Sequence, residues 1–289
     1  MQRAGTIAEV RAHVAGFRAA GARIGFVPTM GNLHEGHHSL LELARGRCER
    51  VVASVFVNPT QFGPSEDFGR YPRTLESDAA ALAERGCDLL FSPTVEEMYP
   101  FGAAGAVEIR VPSLSGILEG AVRPGHFDGV ASVVARLFNI VSPDVAVFGL
   151  KDYQQFLVVQ RMVRDLSMPI EIVGAPTVRE PNGLARSSRN QYLGSDERAK
   201  ARVIHDTLEA MAAQLRGGDG VPAVERAAQA ALRSAGLIPD YAVVRSASDL
   251  SEALDGRQIA LIAARLGTTR LIDNLLIDRV VDPKAAPAL

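Results

Sequence analysis

Pro28-Thr29-Met30-Gly31-Asn32-Leu33-His34-Glu35-Gly36-His37 is the stretch on which the reading of the fold turns. It follows an apolar run, Ile24 to Val27, and precedes a pattern that puts Leu40, Leu41 and Ala44 on one helical face. Strand, tight glycine loop and helix start, in that order, open an α/β unit. The first turn of a helix offers unpaired backbone N–H groups and a partial positive charge, both suited to phosphate. Gly31 and Gly36 read as positions where a Cβ would collide with a ligand. His34 and His37 fall side by side on the first turn and can donate to one anion. The chain carries neither a P-loop nor a G-x-G-x-x-G fingerprint, so a nucleotide site here is of another kind.

Two other readings compete for these histidines. They can be plain solvated loop residues. His34-Glu35-Gly36-His37-His38 also fits H-E-x-x-H, the zinc-protease pattern, which needs His34 and His38 one turn apart inside a formed helix with Glu35 as base. Gly36 interrupts that helix, and the strand-and-loop lead-in sets His34 at or before its start, so zinc is disfavoured.

Outward from this stretch the chain alternates. Thr6 and Glu9 form a capping box for a helix through Ala19, closed by Gly21. Val51 to Val57 is a continuous apolar strand of the kind buried in a parallel sheet. It ends in Asn58-Pro59-Thr60-Gln61-Phe62-Gly63, which reads either as a ligand loop at a strand's C-terminal end or as an Asn-Pro turn with Gln61 in solvent. Thr74 caps a helix reaching Arg85, and Asp88–Ser92 returns as a strand. Val107–Val111 reads as an edge strand. Leu118 to Phe127, dense in charge and glycine, is a binding loop or a solvated connector. Val130, Val133, Val134, Leu137, Phe138 and Val141 mark a core helix. Strand Asp144–Phe148 then leads into Gly149-Leu150-Lys151-Asp152-Tyr153-Gln154-Gln155, where Lys151 can reach a phosphate or remain a surface lysine. Ile170–Val173 closes the series.

The fold expected is therefore α/β, a doubly wound, Rossmann-like parallel sheet over residues 1–176. Residues 177–289 are expected to form a smaller C-terminal α+β domain, with helices over Ser195–Arg216 and Pro222–Ala235 and strands Tyr241–Arg245, Ile259–Ala264 and Leu271–Ile277. Its polar entrance, Val178 to Asn190, holds Ser187 and Ser188 beside Arg189, a set able to bind phosphate oxygens.

Composition bounds the function. The 289 residues are 47% hydrophobic and 22% charged, as in an ordinary globular protein. A net charge of −2 argues against a nucleic-acid partner. Cys48 and Cys87 make no metal-ligand spacing or disulfide framework. With no signal-peptide core and no apolar run of membrane length, a cytoplasmic address and no membrane partner are expected.

Taken in order, P-T-M-G-x-L-H-E-G-H, F-V-N-P-x-Q-F, Y-P-R-T, L-E-G-x-x-R-P-G-H-F-x-G-V, F-G-x-K-D-Y-Q-Q, S-S-R-N and A-A-R-L-G-T-T-R-L-I-D-N resemble the pantoate–β-alanine ligase family of H-x-G-H nucleotidyl transferases, over about Gly25 to Asn274. The resemblance implies ATP-dependent condensation of pantoate with β-alanine through a pantoyl adenylate, with release of pyrophosphate and AMP. It implies magnesium with the triphosphate, from ligands left unknown, and a homodimer. By position, His34, His37 and Lys151 would be catalytic, with His37 the proton donor. Met30, Gly31, Asn32, Leu33, Glu35, Gly36, Gly149, Leu150, Asp152 and Val178 would join them around ATP. Arg186, Ser187, Ser188 and Arg189 match the family's counterpart of the KMSKS loop. Gln61 and Gln155 would grip pantoate, and Glu119 and Arg123 would form the cavity wall. Leu150 and Arg186 depart from the family pattern, which has Glu and Met or Leu there. Arg186 is expected to face solvent rather than fold inward. The rival functions are an adenylyl transferase acting on a nucleotide or phosphopantetheine, which the two glutamines and the C-terminal block disfavour, and an idle binding protein, which the retained histidines, Lys151 and S-S-R disfavour.

Overall fold

The computed structural model describes residues 1–63, 68–254 and 256–277. Its elements run β1 (Gln2–Ala4), α1 (Ile7–Ala19), β2 (Ile24–Thr29), α2 (Glu35–Arg45), β3 (Arg50–Val55), α3 (Leu75–Glu84) and β4 (Leu89–Phe91). Three short helices follow, α4 (Val95–Met98), α5 (Pro112–Ser115) and α6 (Glu119–Val122), and then α7 (His126–Val141), β5 (Val145–Gly149), α8 (Tyr153–Asp165) and β6 (Glu171–Ala175). The remainder is α9 (Ser195–Ala201), α10 (Val203–Arg216), α11 (Val221–Ser234), β7 (Ile238–Ser246), β8 (Gln258–Leu266) and β9 (Thr269–Ile277). None of the described helices is long and apolar enough to cross a membrane.

The first sheet has the order β1-β4-β3-β2-β5-β6, and every pair in it is parallel. Parallel neighbours need crossover helices, and a right-handed crossover covers the sheet on both faces. Val27, Ala53 and Val147 pack under Leu41 and Ala44 of α2 and Ala79 and Leu82 of α3. Phe26 instead meets Phe138 of α7 edge-on at 6.3 Å, and Phe138 meets Phe148 at the same distance. From β2 the chain winds outward through β3 and β4, then returns to the other side of β2 for β5. Strand order therefore reverses between β2 and β5, which leaves a crevice at their C-terminal ends where open α/β sheets bind ligands.

Local signals account for several boundaries. The amide of Glu9 donates to Thr6 Oγ1 (3.3 Å) while Thr6 N–H donates to Glu9 Oε2 (3.0 Å), the expected capping box. Other expectations change. Gln2–Ala4 is a sixth strand, set by its register against Leu89–Phe91 rather than by any periodicity of its own. Val107–Val111 is not a strand: Val107 is exposed, Ile109 N–H donates to Ser132 Oγ (2.8 Å) and Arg110 pairs with Asp128 (2.9 Å). Thr74 precedes α3 but does not cap it with its side chain; its hydroxyl donates to Asp78 Oδ2 at 3.0 Å. Leu118–Phe127 is packed at Glu119, Gly120 and Phe127, where a Cβ on Gly120 would lie 2.0 Å from the Ser115 carbonyl, and exposed at Ala121, Val122, Pro124 and Gly125.

The described contacts divide the chain into two units, Met1–Val178 with Arg186–Ser188, and Arg179–Ala185 with the chain from Arg189 on. In the second unit β7-β8-β9 form an antiparallel sheet whose residues Val244, Ile262 and Leu271 share a core with Ile204, Leu208 and Leu232 of the helices. The single helix expected over Ser195–Arg216 is broken at Arg202 into α9 and α10. Arg179 pairs with the buried Asp273 through two hydrogen bonds (2.6 and 3.1 Å) and so ties the 179–185 turn to β9.

Helix α7 lies unusually close to the segment after β3. A Cβ on Gly129 would stand 2.5 Å from the Thr60 carbonyl oxygen and 2.8 Å from Gln61 Cα. Both neighbours are backbone and cannot rotate aside. Gly129→Ala is expected to lower the unfolding free energy by about 1–3 kcal/mol, the usual cost of overpacking. Denaturant titration checks it, and an unchanged midpoint would contradict the packing described.

Candidate active site

The loop that leaves β2 is held from beneath by a carboxylate. Asp78 of α3, almost wholly buried, accepts Asn32 N–H at Oδ2 and Leu33 N–H at Oδ1, both at 2.9 Å. Gly31 (φ +85°) and Asn32 (φ +52°) take left-handed backbone to present those amides. A Cβ on Gly31 would lie 2.9 Å from Asp78 Oδ2, so the glycine makes room for a neighbouring side chain of the protein itself.

The start of α2 is capped by imidazole. His34 is the N-cap residue: its Nδ1 accepts Gly36 N–H (3.1 Å), and its own N–H donates to Nδ1 of His37 (3.3 Å). This is a capping box in which two histidines take the places usually held by Ser or Thr and Glu. Gly36 is required because a Cβ there would fall 2.8 Å from the His34 ring. With each Nδ1 accepting, the proton of each neutral ring sits on Nε2, away from the backbone that its Nδ1 faces. The ring centroids are 4.2 Å apart, so two Nε2–H donors start from neighbouring positions.

Neither ring is charged near neutral pH. Burial, followed by the charges of Lys151, His38 and Arg186, pushes His34 down to about 4. Burial and the other two histidines push His37 down to about 3. The pair therefore donates hydrogen bonds as neutral imidazole, and an anion bound there would raise both values. The H-E-x-x-H geometry is not met: His34 has extended backbone outside the helix (φ −143°), and Glu35 is exposed, its Oε1 3.4 Å from His38 Nδ1 and 3.7 Å from Arg85.

Because β5 neighbours β2, the turn after Gly149 comes to the same crevice. Lys151 lies in that turn, mostly buried, with Nζ 3.8 Å from Asp152 Oδ1, and its charge is felt at His34. Leu150 is different. Its side chain packs on β6, where a Cβ on Gly174 would be 2.5 Å from its Cδ2.

Gln61 is buried rather than solvated. Asn58 Nδ2 donates to Gln61 Oε1 (3.2 Å), and Tyr99 O–H donates to Asn58 Oδ1 (2.7 Å). The amide is thus oriented with its NH2 outward, where it meets only the weak acceptor Met30 Sδ at 3.2 Å. His126 Nδ1 lies 2.8 Å from the Gln61 carbonyl, and Arg123 lies 3.0 Å from the other nitrogen of that ring. Of the paired glutamines on α8, Gln154 is structural. It donates to the Leu114 and Ile117 carbonyls (2.7 and 2.8 Å) and accepts Glu119 N–H (3.1 Å). Gln155 is half-buried.

Val178 accepts Arg186 N–H (2.9 Å), and Arg186, Ser187 and Ser188 group with the first unit, whereas Arg189 groups with the second. Arg186 is half-buried with its Nε wholly covered, contrary to the solvent-facing position expected from sequence. The backbone bond to Val178 is what turns it inward.

Asp78, Asn58 and Tyr99 escaped the sequence reading as site residues. Asn58 lay inside a quoted motif, but the reach of Tyr99 and Asp78 to loops 41 and 46 positions away leaves no local trace.

A sequence profile described as pantoate-beta-alanine ligase matches residues 2–276. The chain is 55% identical over 267 residues to the pantothenate synthetase of Stenotrophomonas maltophilia (strain K279a), covering 92% of this chain and 96% of that one. It is 57% identical over 273 residues to that of Xylella fastidiosa (strain 9a5c), covering 93% and 97%. Among solved structures, the pantothenate synthetase of Thermus thermophilus superposes with a TM-score of 0.88 at 51% identity, over 95% of this chain and 99% of that one. The pantoate-beta-alanine ligase of Francisella tularensis, complexed with "Beta-gamma ATP" and β-alanine, gives 0.79 at 34% identity, over 96% and 97%.

The histidine pair couples stability to pH. A histidine held below its ordinary 6.5 takes up its proton more readily when the chain is unfolded. Its contribution is complete above that value and is lost as pH falls toward the folded values near 4 and 3. Ligand-free protein should therefore lose stability between pH 6.5 and about pH 4.5, and His37→Asn should show a shallower slope in that window. Urea midpoints across the range measure this; parallel slopes for both proteins would refute the buried neutral pair.

Proposed function

The chain belongs to the pantoate–β-alanine ligase family, and on that premise we propose that it joins pantoate to β-alanine in two steps at the crevice between β2 and β5. In the first, a pantoate carboxylate oxygen attacks the α-phosphorus of ATP, the bond from that phosphorus to the bridging oxygen breaks, and pyrophosphate leaves. In the second, the β-alanine amine attacks the acyl carbon of pantoyl adenylate, a proton leaves the nitrogen, and AMP departs with pantothenate formed. Phosphoryl chemistry of this kind needs in-line placement and donors aimed at developing charge more than covalent help.

One observation carries the reading. Gln61, in the segment after β3, meets the loop after β2 at Met30, and the two imidazoles stand at the other end of that loop, which supports a holder for a hydroxy acid and a holder for phosphate side by side. His34, His37 and Lys151 are assigned to the transferring phosphate. Met30–Gly36, Gly149–Asp152, Val178, Ser187, Ser188 and Arg189 are assigned to the nucleotide, and Gln61 and Gln155 to pantoate. The described residues contain no cluster of three or more His, Cys, Asp or Glu side chains able to hold a metal. Magnesium would accompany the ATP triphosphate and neutralise its charge, and no step is assigned to it. A homodimer in the cytoplasm completes the reading.

AMP release that depends on both pantoate and β-alanine, with equal pyrophosphate, tests the activity directly. His37→Ala and Lys151→Ala should each slow single-turnover adenylate formation by about 10²-fold or more, the usual loss for a preorganised donor. Near-normal adenylate formation in His37→Ala would remove that residue from the chemistry.

Gln61→Ala should act on binding instead. Leaving a buried pantoate group unpaired costs about 1–3 kcal/mol, read as a higher pantoate KM. An unchanged KM with slower pyrophosphate release would reverse the assignment.

A further inference from the structure

The guanidinium of Arg186 carries a buried, unsatisfied nitrogen beside the crevice. Its Nε is covered and has no hydrogen-bond partner. Its Cβ lies 3.8 Å from where a Cβ on Gly36 would stand, beside the first turn of α2, and its charge, like that of Lys151, bears on His34. The nearest acid in that turn, Glu35, is already engaged by Arg85 and His38. Asp152 stands by Lys151. A half-buried guanidinium held among cations and neutral rings is costly unless an anion completes it.

Its place also selects which part of an anion it meets. Gln61 touches the loop at Met30, whereas Arg186 touches it at Gly36, beyond His34. In-line displacement puts the attacking oxygen and the leaving group on opposite sides of phosphorus. With the attacking acid on the Gln61 side, the leaving group falls on the Arg186 side. We infer that Arg186 is a binding residue for the pyrophosphate portion of the nucleotide, setting affinity for ATP and pyrophosphate but not for AMP. The assignment rests on the ligase reading above for its direction along the loop.

The experiment separates the two. Inorganic pyrophosphate, ATP and AMP are each titrated calorimetrically into the full chain and into Arg186→Met and Arg186→Lys, in magnesium buffer without pantoate, at low and high salt. Loss of a charge-assisted contact should weaken pyrophosphate and ATP by about tenfold or more in Arg186→Met. AMP should stay within about twofold, and the loss should shrink at high salt. Arg186→Lys should recover part of the affinity, since a point charge replaces a planar fork. Without ligand, Arg186→Met should melt no lower than the wild type, because it removes an unpaired polar group. Pyrophosphate affinity within about twofold of wild type would overturn the inference, as would an equal loss for AMP. A lower melting temperature with unchanged pyrophosphate affinity would assign Arg186 to folding instead. Failure of the ligase reading would appear elsewhere, as wild-type protein that releases no pantoate-dependent AMP.

Discussion

Two imidazoles cap the helix they begin, and much of the site follows from that. A helix start must find acceptors for its free amides, and here His34 Nδ1 takes the amide of Gly36 while His37 Nδ1 takes that of His34. Capping selects the tautomer, the tautomer aims Nε2–H outward, and burial removes the charge that would otherwise repel Lys151. The same atoms that stabilise α2 thus define its capacity to bind an anion. Glycine at position 36 is a consequence of the cap, since the His34 ring occupies the space a Cβ would need.

A cap alone would leave the preceding loop free to move. Asp78 prevents this by holding two consecutive amides from another helix, and Gly31 and Asn32 adopt left-handed backbone to offer them. On the other side, Tyr99 and Asn58 orient the Gln61 amide so that its oxygen is engaged and its NH2 meets only the weak acceptor Met30 Sδ. Rigid supports of this kind let hydrogen-bond donors act without reorganisation when charge develops. The close approach of α7 at Gly129 brings the segment bearing Gln61 into place, so packing and site geometry are one problem there.

Parallel topology supplies the remaining juxtaposition. His34 and Lys151 are far apart in sequence, yet β2 and β5 are neighbours and their C-terminal turns open on the same crevice. Arg186 arrives by a third route, through the backbone bond that joins it to Val178 just beyond β6. Cationic groups therefore converge on a region of a chain whose net charge is −2. Local placement, rather than overall charge, decides where a chain of this composition can offer cations to an anion.

The sequence by itself determined the alternation of strands and helices, the strand–loop–helix opening at Pro28–His37, and the residue types on which an anion site could be built. These are local properties: apolar runs of strand length, the Thr6–Glu9 box and glycines at turns all act within a few residues. Tertiary structure alone decided that Gln2–Ala4 is a strand, through its register against Leu89–Phe91, and that Val107–Val111 is not, since Ile109 and Arg110 bond to side chains of α7 instead. It decided that a Cβ at Gly31 or Gly36 would meet Asp78 or the His34 ring, that Gln154 is structural, and that Leu150 turns to Gly174. It also turned Arg186 inward. Each of these depends on a neighbour tens of residues away or on a carbonyl or ring whose position only folding sets, and no periodicity in the chain encodes such a neighbour.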